Sequence, residues 1–335
     1  MGKTVTFILG NGFDIGFGLP TKYTDFYPQY VKHSGLIEEQ HIKSFKRNIC
    51  RKDYQYWADF EQAFGLYAKN CKDARKYSSC LFDFAAKFNV YLQDVVRRCS
   101  FACFEDKIAE RMLNAVNTYN NCPAKIVPRP SEQGPARDNI TCHFVTLNYT
   151  PTIDLAVKYL KKRLKDINAE LNIEVGKVVY LHGKINSIIM GVNDSSQINN
   201  EILRHSTILQ QSVLKPGLIT QMNTRTDIET EKLIRESDEI CIYGASMGNT
   251  DRRWWIYIAQ WLQNDQNHKL FIFTYRGTPL GIAQDLTQCR QEVCNKFWNV
   301  VGHFFPEKKE RMEKQVYVAV DHNIFSMDGI KIYRE

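Results

Sequence analysis

The chain has 335 residues, 44% hydrophobic and 24% charged, with a formal net charge of +7. This is ordinary globular composition, enough for one large α/β core or roughly two domain-sized units. It lacks any apolar run of the ~18 residues a membrane span needs, so no membrane association is expected.

The start of the chain enters a strand almost at once, without the charged and apolar regions of a secretory signal. The ten cysteines are scattered with no C-x-x-C spacing. They read as reduced core thiols of a cytoplasmic protein, and no metal site is legible. The positive charge favours acidic partners, weakly.

Thr4 to Leu9 is a short apolar run with β-branched members, the pattern of a strand buried on both faces of a parallel sheet. It ends in Gly10-Asn11-Gly12-Phe13-Asp14, a glycine turn leading into a helix. Such a turn can leave backbone N–H groups open to a pyrophosphate, or can simply be tight. The complete G-x-G-x-x-G spacing is absent, since residue 15 is Ile. Asp14 is expected to cap this helix or to accept from a ribose hydroxyl.

Thr21, after Pro20, is placed to cap a helix running to about Val31. Residues 36 to 50 read as helical. Trp57, Phe60 and Phe64 recur at the spacing of a buried helical stripe, and Glu61 beside them is either a buried partner for a polar group or, the favoured reading, a surface residue. From Lys76 to Tyr119 the apolar spacing stays helical without Pro or Gly, which fits one long helix or two with a bend.

Residues 120 to 140 carry Pro123, Pro128, Pro130 and Pro135 among polar residues and read as a linker. Ile140 to Leu147 is the second strand, ending at Asn148-Tyr149-Thr150. Thr152 to Leu164 is a helix whose lysines, from Lys158 to Lys165, form a solvated face. Val178 to Leu181 is a third strand, closing on His182-Gly183, and Ile188 to Val192 a short fourth.

Residues 198 to 236 read mostly as helix. Glu239 to Tyr243 is a buried strand ending at Gly244-Ala245-Ser246, followed by a helix containing Trp254 and Trp255, both expected in the core. Lys269 to Thr274 is a further strand, ending at Thr274-Tyr275, and residues 280 to 298 are helical. Val316 to Val320 and Ile330 to Tyr333 are late edge strands.

Alternating strands and helices imply an α/β fold with an open parallel sheet. Ligands bind such sheets outside the carboxyl ends of the strands. The strand ends bring Gly10 and Gly12, Asn148, His182, Gly244 and Ser246, and Thr274 and Tyr275 to one edge. Taken singly, His182 is a turn residue and Asn148 an Asx-type turn. Their joint placement is what suggests a nucleotide crevice.

The blocks Gly10-Asn11-Gly12-Phe13-Asp14 with Gly18-Leu19-Pro20-Thr21-Lys22-Tyr23, Trp57-Ala58-Asp59-Phe60-Glu61, Thr146-Leu147-Asn148-Tyr149-Thr150, Leu181-His182-Gly183 and Tyr243-Gly244-Ala245-Ser246-Met247-Gly248-Asn249-Thr250-Asp251 run through the chain in order. In these the chain resembles the AbiH family of bacterial phage abortive-infection proteins. AbiH proteins are in turn distantly similar to sirtuin-like NAD-binding domains. The resemblance implies a Rossmann-like, sirtuin-like sheet formed by residues 1–35 and 140–335. A helical insertion or cap at 36–120 and a proline-rich loop at 121–139 would complete it.

The resemblance also implies NAD as substrate, without a metal. Asn148 and His182 would be catalytic, Asn148 orienting the ribose or water and His182 acting as general base. Gly10, Asn11 and Gly12 would hold phosphates by backbone N–H, beside Phe13, Asp14, Thr21 and Tyr23. Gly244, Ser246 and Asp251 would serve the adenosine side, or Ser246 and Asp251 would cap the 251–262 helix; Thr274 and Tyr275 are further cofactor-binding candidates at their strand end. The sequence departs from sirtuins in Gly-Asn-Gly for Gly-Ala-Gly, in Asp14, in Tyr149 after Asn148, and in lacking a four-cysteine zinc module, which argues against protein deacylation.

The expected function is an abortive-infection effector hydrolysing the nicotinamide–ribose bond of NAD. The alternatives are a non-catalytic nucleotide sensor and a nucleic-acid effector. A phage-derived trigger and a homo-oligomer are further expectations.

Overall fold

The computed structural model describes residues 2–32, 39–52, 54–57, 59–119, 139–167, 172–222, 224–275, 283–306, 308–321, 323–325, 327 and 332–334. The chain runs β1 (Lys3–Leu9), α1 (Gly12–Gly16), α2 (Tyr23–Lys32), α3 (Gln40–Arg51), α4 (Phe60–Tyr67), α5 (Ala74–Arg97), α6 (Glu105–Thr118) and β2 (Ile140–Thr146). It continues through α7 (Thr152–Asp166), β3 (Ile173–Tyr180), α8 (Glu201–Arg204), α9 (Thr207–Ser212), α10 (Lys215–Gln221), α11 (Thr226–Glu236) and β4 (Glu239–Tyr243). The last elements are α12 (Arg252–Asn264), β5 (Lys269–Thr274), α13 (Ala283–Val301), α14 (Lys309–Glu313) and β6 (Val316–Val320).

The strands form one six-stranded sheet in the order β3-β2-β1-β4-β5-β6, every pair parallel. This is the doubly wound, Rossmann-like arrangement, with its change of direction between β1 and β4. In β1 the side chains alternate across the sheet, as a period of two requires. Val5, Phe7 and Leu9 face a cluster containing residues of α6 and α7. Ile8 faces the opposite cluster, built from α11, α12, α13 and α14.

A third cluster is made almost entirely by helices. It gathers Phe26, Tyr27 and Tyr30 of α2, Phe45 of α3, Phe60 and Phe64 of α4, and Phe84 and Phe88 of α5. Leu203 and Leu209, from the segment after β3, join it. Phe60 and Phe84 stack with ring centroids 3.7 Å apart. The aromatic stripe of 57, 60 and 64 is therefore core, with all three side chains fully buried. Trp254 and Trp255 are likewise buried, on the sheet.

Of the two arrangements that fit Lys76 to Tyr119, the structure has two helices, α5 and α6, separated by a 3-10 turn at Phe101–Phe104. Other expectations are corrected. Ile188 to Val192 is not a strand: Val192 makes one isolated bridge to Leu214, and Met190 and Val192 pack into the helical cluster. Gly191 there has φ +152°, which breaks the regular backbone of a strand. A short apolar run fits either fate, and local pattern does not separate them.

Thr21 is not the cap of α2. The helix starts at Tyr23, and Asp25 accepts from the Lys22 N–H at 3.0 Å instead. The proline-rich stretch at 120–138 lies outside the described residues, as do Arg276, Gly277, Ile330 and Lys331. Tyr333 makes a single antiparallel bridge to Cys99. Among the described cysteines none is in a disulfide; Cys80, Cys142, Cys241, Cys289 and Cys294 are buried, but Cys50 and Cys103 are exposed. No helix among the described residues is long and apolar enough to cross a membrane.

Candidate functional site

A cavity of about 540 Å³ lies at the carboxyl ends of β1, β2, β3 and β4. This is within the range of about 300–1,000 Å³ typical of small-molecule sites. The sheet side contributes Gly10, Asn11 and Asp14 after β1, Leu147 to Thr150 after β2, His182 after β3, and Gly244 to Ser246 with Gly248, Thr250 and Asp251 after β4. The helical side contributes Thr21 to Thr24, Asp59 and Glu61 of the α4 start, and Phe88 and Leu92 of α5.

The two glycine turns sit back to back. Gly10 N–H donates to Tyr243 O, Gly12 N–H to Gly244 O and Phe13 N–H to Gly10 O, each at 2.9 Å. A Cβ on Gly12 would lie 2.5 Å from Gly244 Cα, and one on Gly10 2.5 Å from Gly244 O. The glycines are therefore required for one turn to touch the other. Their N–H groups are engaged within the protein, which corrects the expectation of an open phosphate cradle at Gly10 and Gly12.

Phe13 and Gly12 do not line the cavity; Phe13 is buried in the core against Phe17 and Phe325. Thr274 and Tyr275 do not reach it either, and Tyr275 is exposed. They end β5, one strand beyond β4, and each strand adds about 4.8 Å to the distance from the crevice.

Asn148 and His182 both line this cavity and both are buried. The Asn148 Nδ2–H donates to Gly10 O at 3.1 Å, tying the end of β2 to the glycine turn. His182 is followed by Gly183 at φ +76°, where a Cβ would lie 2.0 Å from Ser187 O. That tight turn is closed by Ile189 N–H donating to His182 O at 2.8 Å.

Asp14 is neither a helix cap nor solvent-facing. It is buried inside α1 and accepts from Thr150 Oγ1 on Oδ2 at 2.6 Å, while its Oδ1 has no hydrogen-bond partner. Burial pushes its carboxyl up to about 6, against the opposing pull of the threonine hydroxyls. Thr21 Oγ1 donates to Asn11 Oδ1 at 2.6 Å, and the Tyr23 ring leans on Phe60, Phe84 and Phe88.

The largest surprise is a buried charge cluster joining the helical side to the sheet. Lys215, at the start of α10, places Nζ 2.7 Å from Glu61 Oε2, 3.4 Å from Asp251 Oδ1 and 3.4 Å from His182 Nε2. His182 Nε2 is 3.0 Å from Asp251 Oδ1, and Glu61 Oε1 accepts from Gly191 N–H at 3.2 Å. Asp251 opens α12 by position, yet its side chain makes no cap bond.

Burial raises Glu61 to about 7, with Lys215 pulling back. For Asp251 burial is outweighed by Lys215 and His182, so its carboxyl falls below the usual range. Burial and then the Lys215 ammonium lower His182, which favours the neutral ring. Asp59, which accepts from Gln62 N–H as the cap of α4, is raised chiefly by burial.

Lys215 is the residue that sequence reasoning missed, and Glu61 takes the less favoured of its two readings, a buried partner for a polar group. A carboxylate inside a stripe of Trp57, Phe60 and Phe64 was the available signal. Its partner stands 154 positions later in the chain, beyond the reach of any local pattern.

A family model described as bacteriophage abortive infection AbiH matches residues 6–273. The chain belongs to the AbiH family. The match spans β1 to β5 and so includes every residue lining the cavity. Membership makes this AbiH chain a phage abortive-infection protein. No curated protein matches it. Among the described residues no group of three His, Cys, Asp or Glu side chains is placed to hold a metal ion.

Proposed function

We propose that this AbiH protein is an effector that binds NAD in the cavity at the β1/β4 crevice and hydrolyses its nicotinamide–ribose bond. The observation that carries the reading is the gathering of Asn148, His182 and Asp14 around one cavity, from the ends of β2 and β3 and from α1 after β1. Cleavage passes through an oxocarbenium-like centre, as glycoside hydrolysis does. Four carboxylates line the cavity, those of Asp14, Asp59, Glu61 and Asp251. Lys215 offsets Glu61 and Asp251, and where these groups are ionised they suit a positive ring and a positive sugar.

In this reading Asn148, anchored on Gly10 O, orients the ribose or the attacking water. His182, neutral near pH 7, is the general base. Asp14 accepts from a ribose hydroxyl. With the Gly10 and Gly12 amides engaged internally, the diphosphate falls to Asn11, Thr21 and the exposed Lys22, and the adenosine end to Gly244 and Ser246.

The test is incubation of the purified protein with NAD and, separately, with RNA and DNA, with and without extract of infected cells as a source of trigger. NAD loss that disappears in Asn148→Ala and His182→Ala supports the enzyme. Degraded nucleic acid with intact NAD removes it. A second reading, a nucleotide sensor without turnover, draws on the Lys215–Glu61 contact, through which the helical side touches the cavity's base. Tight NAD binding with no product under every condition would favour it.

A further inference from the structure

His182 stands between two groups that make opposite demands on Nε2. A carboxylate oxygen, Asp251 Oδ1, lies at 3.0 Å and an ammonium, Lys215 Nζ, at 3.4 Å. A bare Nε2 would satisfy the ammonium but would face its lone pair at the closer carboxylate. A protonated Nε2 donates to the carboxylate in a charge-assisted bond. The ammonium donors then go to Glu61 Oε2 at 2.7 Å and Asp251 Oδ1 at 3.4 Å. In the neutral ring the other nitrogen is then a bare acceptor. Nδ1 is buried and has no partner in the protein. An unmatched buried acceptor is unfavourable, and a ligand hydroxyl or water beside His182 would satisfy it.

We infer that Asp251 and Lys215 are positioning residues for His182: Asp251 holds the ring proton on Nε2, Lys215 braced by Glu61 holds the Asp251 carboxylate, and Nδ1 is the atom that receives the proton of the attacking water. This deepens the NAD-hydrolysis reading and rests on it for the chemical step. In that step the water oxygen bonds to C1′ of the ribose and the C1′–N bond breaks. Its electron pair goes to the nicotinamide nitrogen, and the water proton passes to Nδ1 and then to solvent. The groups facing the ring and its partners are Asp251 from the β4 side, Lys215 from α10, and Glu61 and Asp59 from the start of α4, with Tyr149 beside Lys215.

Two measurements decide it. Histidine ¹⁵N spectra of the full chain, with His182 assigned by its loss in His182→Gln, read the tautomer whether or not any reaction occurs. The expected result at pH 7.5 is a neutral ring with the proton on Nε2. A proton on Nδ1, or a charged ring, overturns the inference even if NAD is hydrolysed.

Kinetics add the positioning test. Asp251→Asn should lower kcat by roughly 100-fold with little change in KM, and should mix the tautomers in the spectrum. Lys215→Arg should keep the wild-type pH profile, whereas Lys215→Met should move its acid limb to higher pH. Unchanged kcat and tautomer in a folded Asp251→Asn also overturn it. If the wild type spares NAD, the function reading fails, and the spectrum still decides the positioning claim.

Discussion

At the scale of single residues, Lys215 is the side chain whose surroundings matter most. It is buried with two carboxylates, Glu61 and Asp251, within ion-pair distance. Taking a charge out of water is expensive, and a buried pair mainly offsets its own desolvation. Removing one partner is what does damage. Lys215→Met should therefore destabilise the fold by about 3–5 kcal/mol, because the carboxylates lose their cation. The double variant Lys215→Met/Glu61→Gln should lose less than Lys215→Met alone. Urea unfolding of the three proteins checks this; equal losses would mean that the pair is not coupled.

Asp14 makes a pH prediction with a definite sign. Its folded pKa, about 6, lies above the ordinary value of 3.8. The native state therefore binds this proton more tightly than the unfolded chain does. Stability from Asp14 is greatest at low pH and falls as pH rises through roughly 4 to 6, by about 3 kcal/mol in all. Asp251 acts oppositely: its folded pKa is depressed, so its contribution is lost as pH falls below the ordinary carboxylate range. In Asp14→Asn the decline between pH 4 and 6 should be shallower by Asp14's share, the part due to the raised Glu61 and Asp59 remaining. Unfolding midpoints across that window, variant against wild type, are the measurement.

At the scale of elements, the two glycine turns behave as one unit. Gly12→Ala would put a Cβ 2.5 Å from Gly244 Cα, backbone against backbone, with no flexible side chain to yield. The turns after β1 and β4 would have to part, at a cost of about 1–3 kcal/mol or more. A fall in Tm together with weakened NAD binding is the expected result. The helical cluster has its own keystone in Phe84, whose ring meets those of Tyr23, Phe26, Tyr27, Tyr30, Phe60 and Phe88. Phe84→Ala should cost about 3–5 kcal/mol in denaturant unfolding.

At the scale of the whole molecule, the cavity exists because helices of the segment after β1 meet the carboxyl edge of the sheet. Glu61 reaches it from α4, His182 and Asp251 from the ends of β3 and β4, and Lys215 of α10 backs Glu61. A bound nucleotide would therefore touch both sides. NAD in excess should raise Tm through mass action and should slow amide exchange in α4 as well as in the turns after β1 and β4. Protection confined to the sheet turns would show that the helical side takes no part.

The fold class and part of the cavity's sheet side, but not the exclusion of Gly12, Phe13, Thr274 and Tyr275, were legible along the chain, because a strand buried on both faces and a glycine turn are local patterns. Thr4 to Leu9, Glu239 to Tyr243 and their turns declared themselves by composition alone, and Asn148 and His182 by where strands end. Other features depended on partners far away in the chain. Whether the Gly10 and Gly12 amides were open or engaged was decided by Gly244, and the run at Ile188 to Val192 was drawn from the sheet into the helical cluster. Glu61 became a buried ion because Lys215 arrives beside it, and Asp251 became a histidine partner because β3 and β4 end on the same rim. The physical reason is that hydrophobic period and turn chemistry act over a few residues, whereas burial and charge pairing are fixed only when distant segments share one dry space.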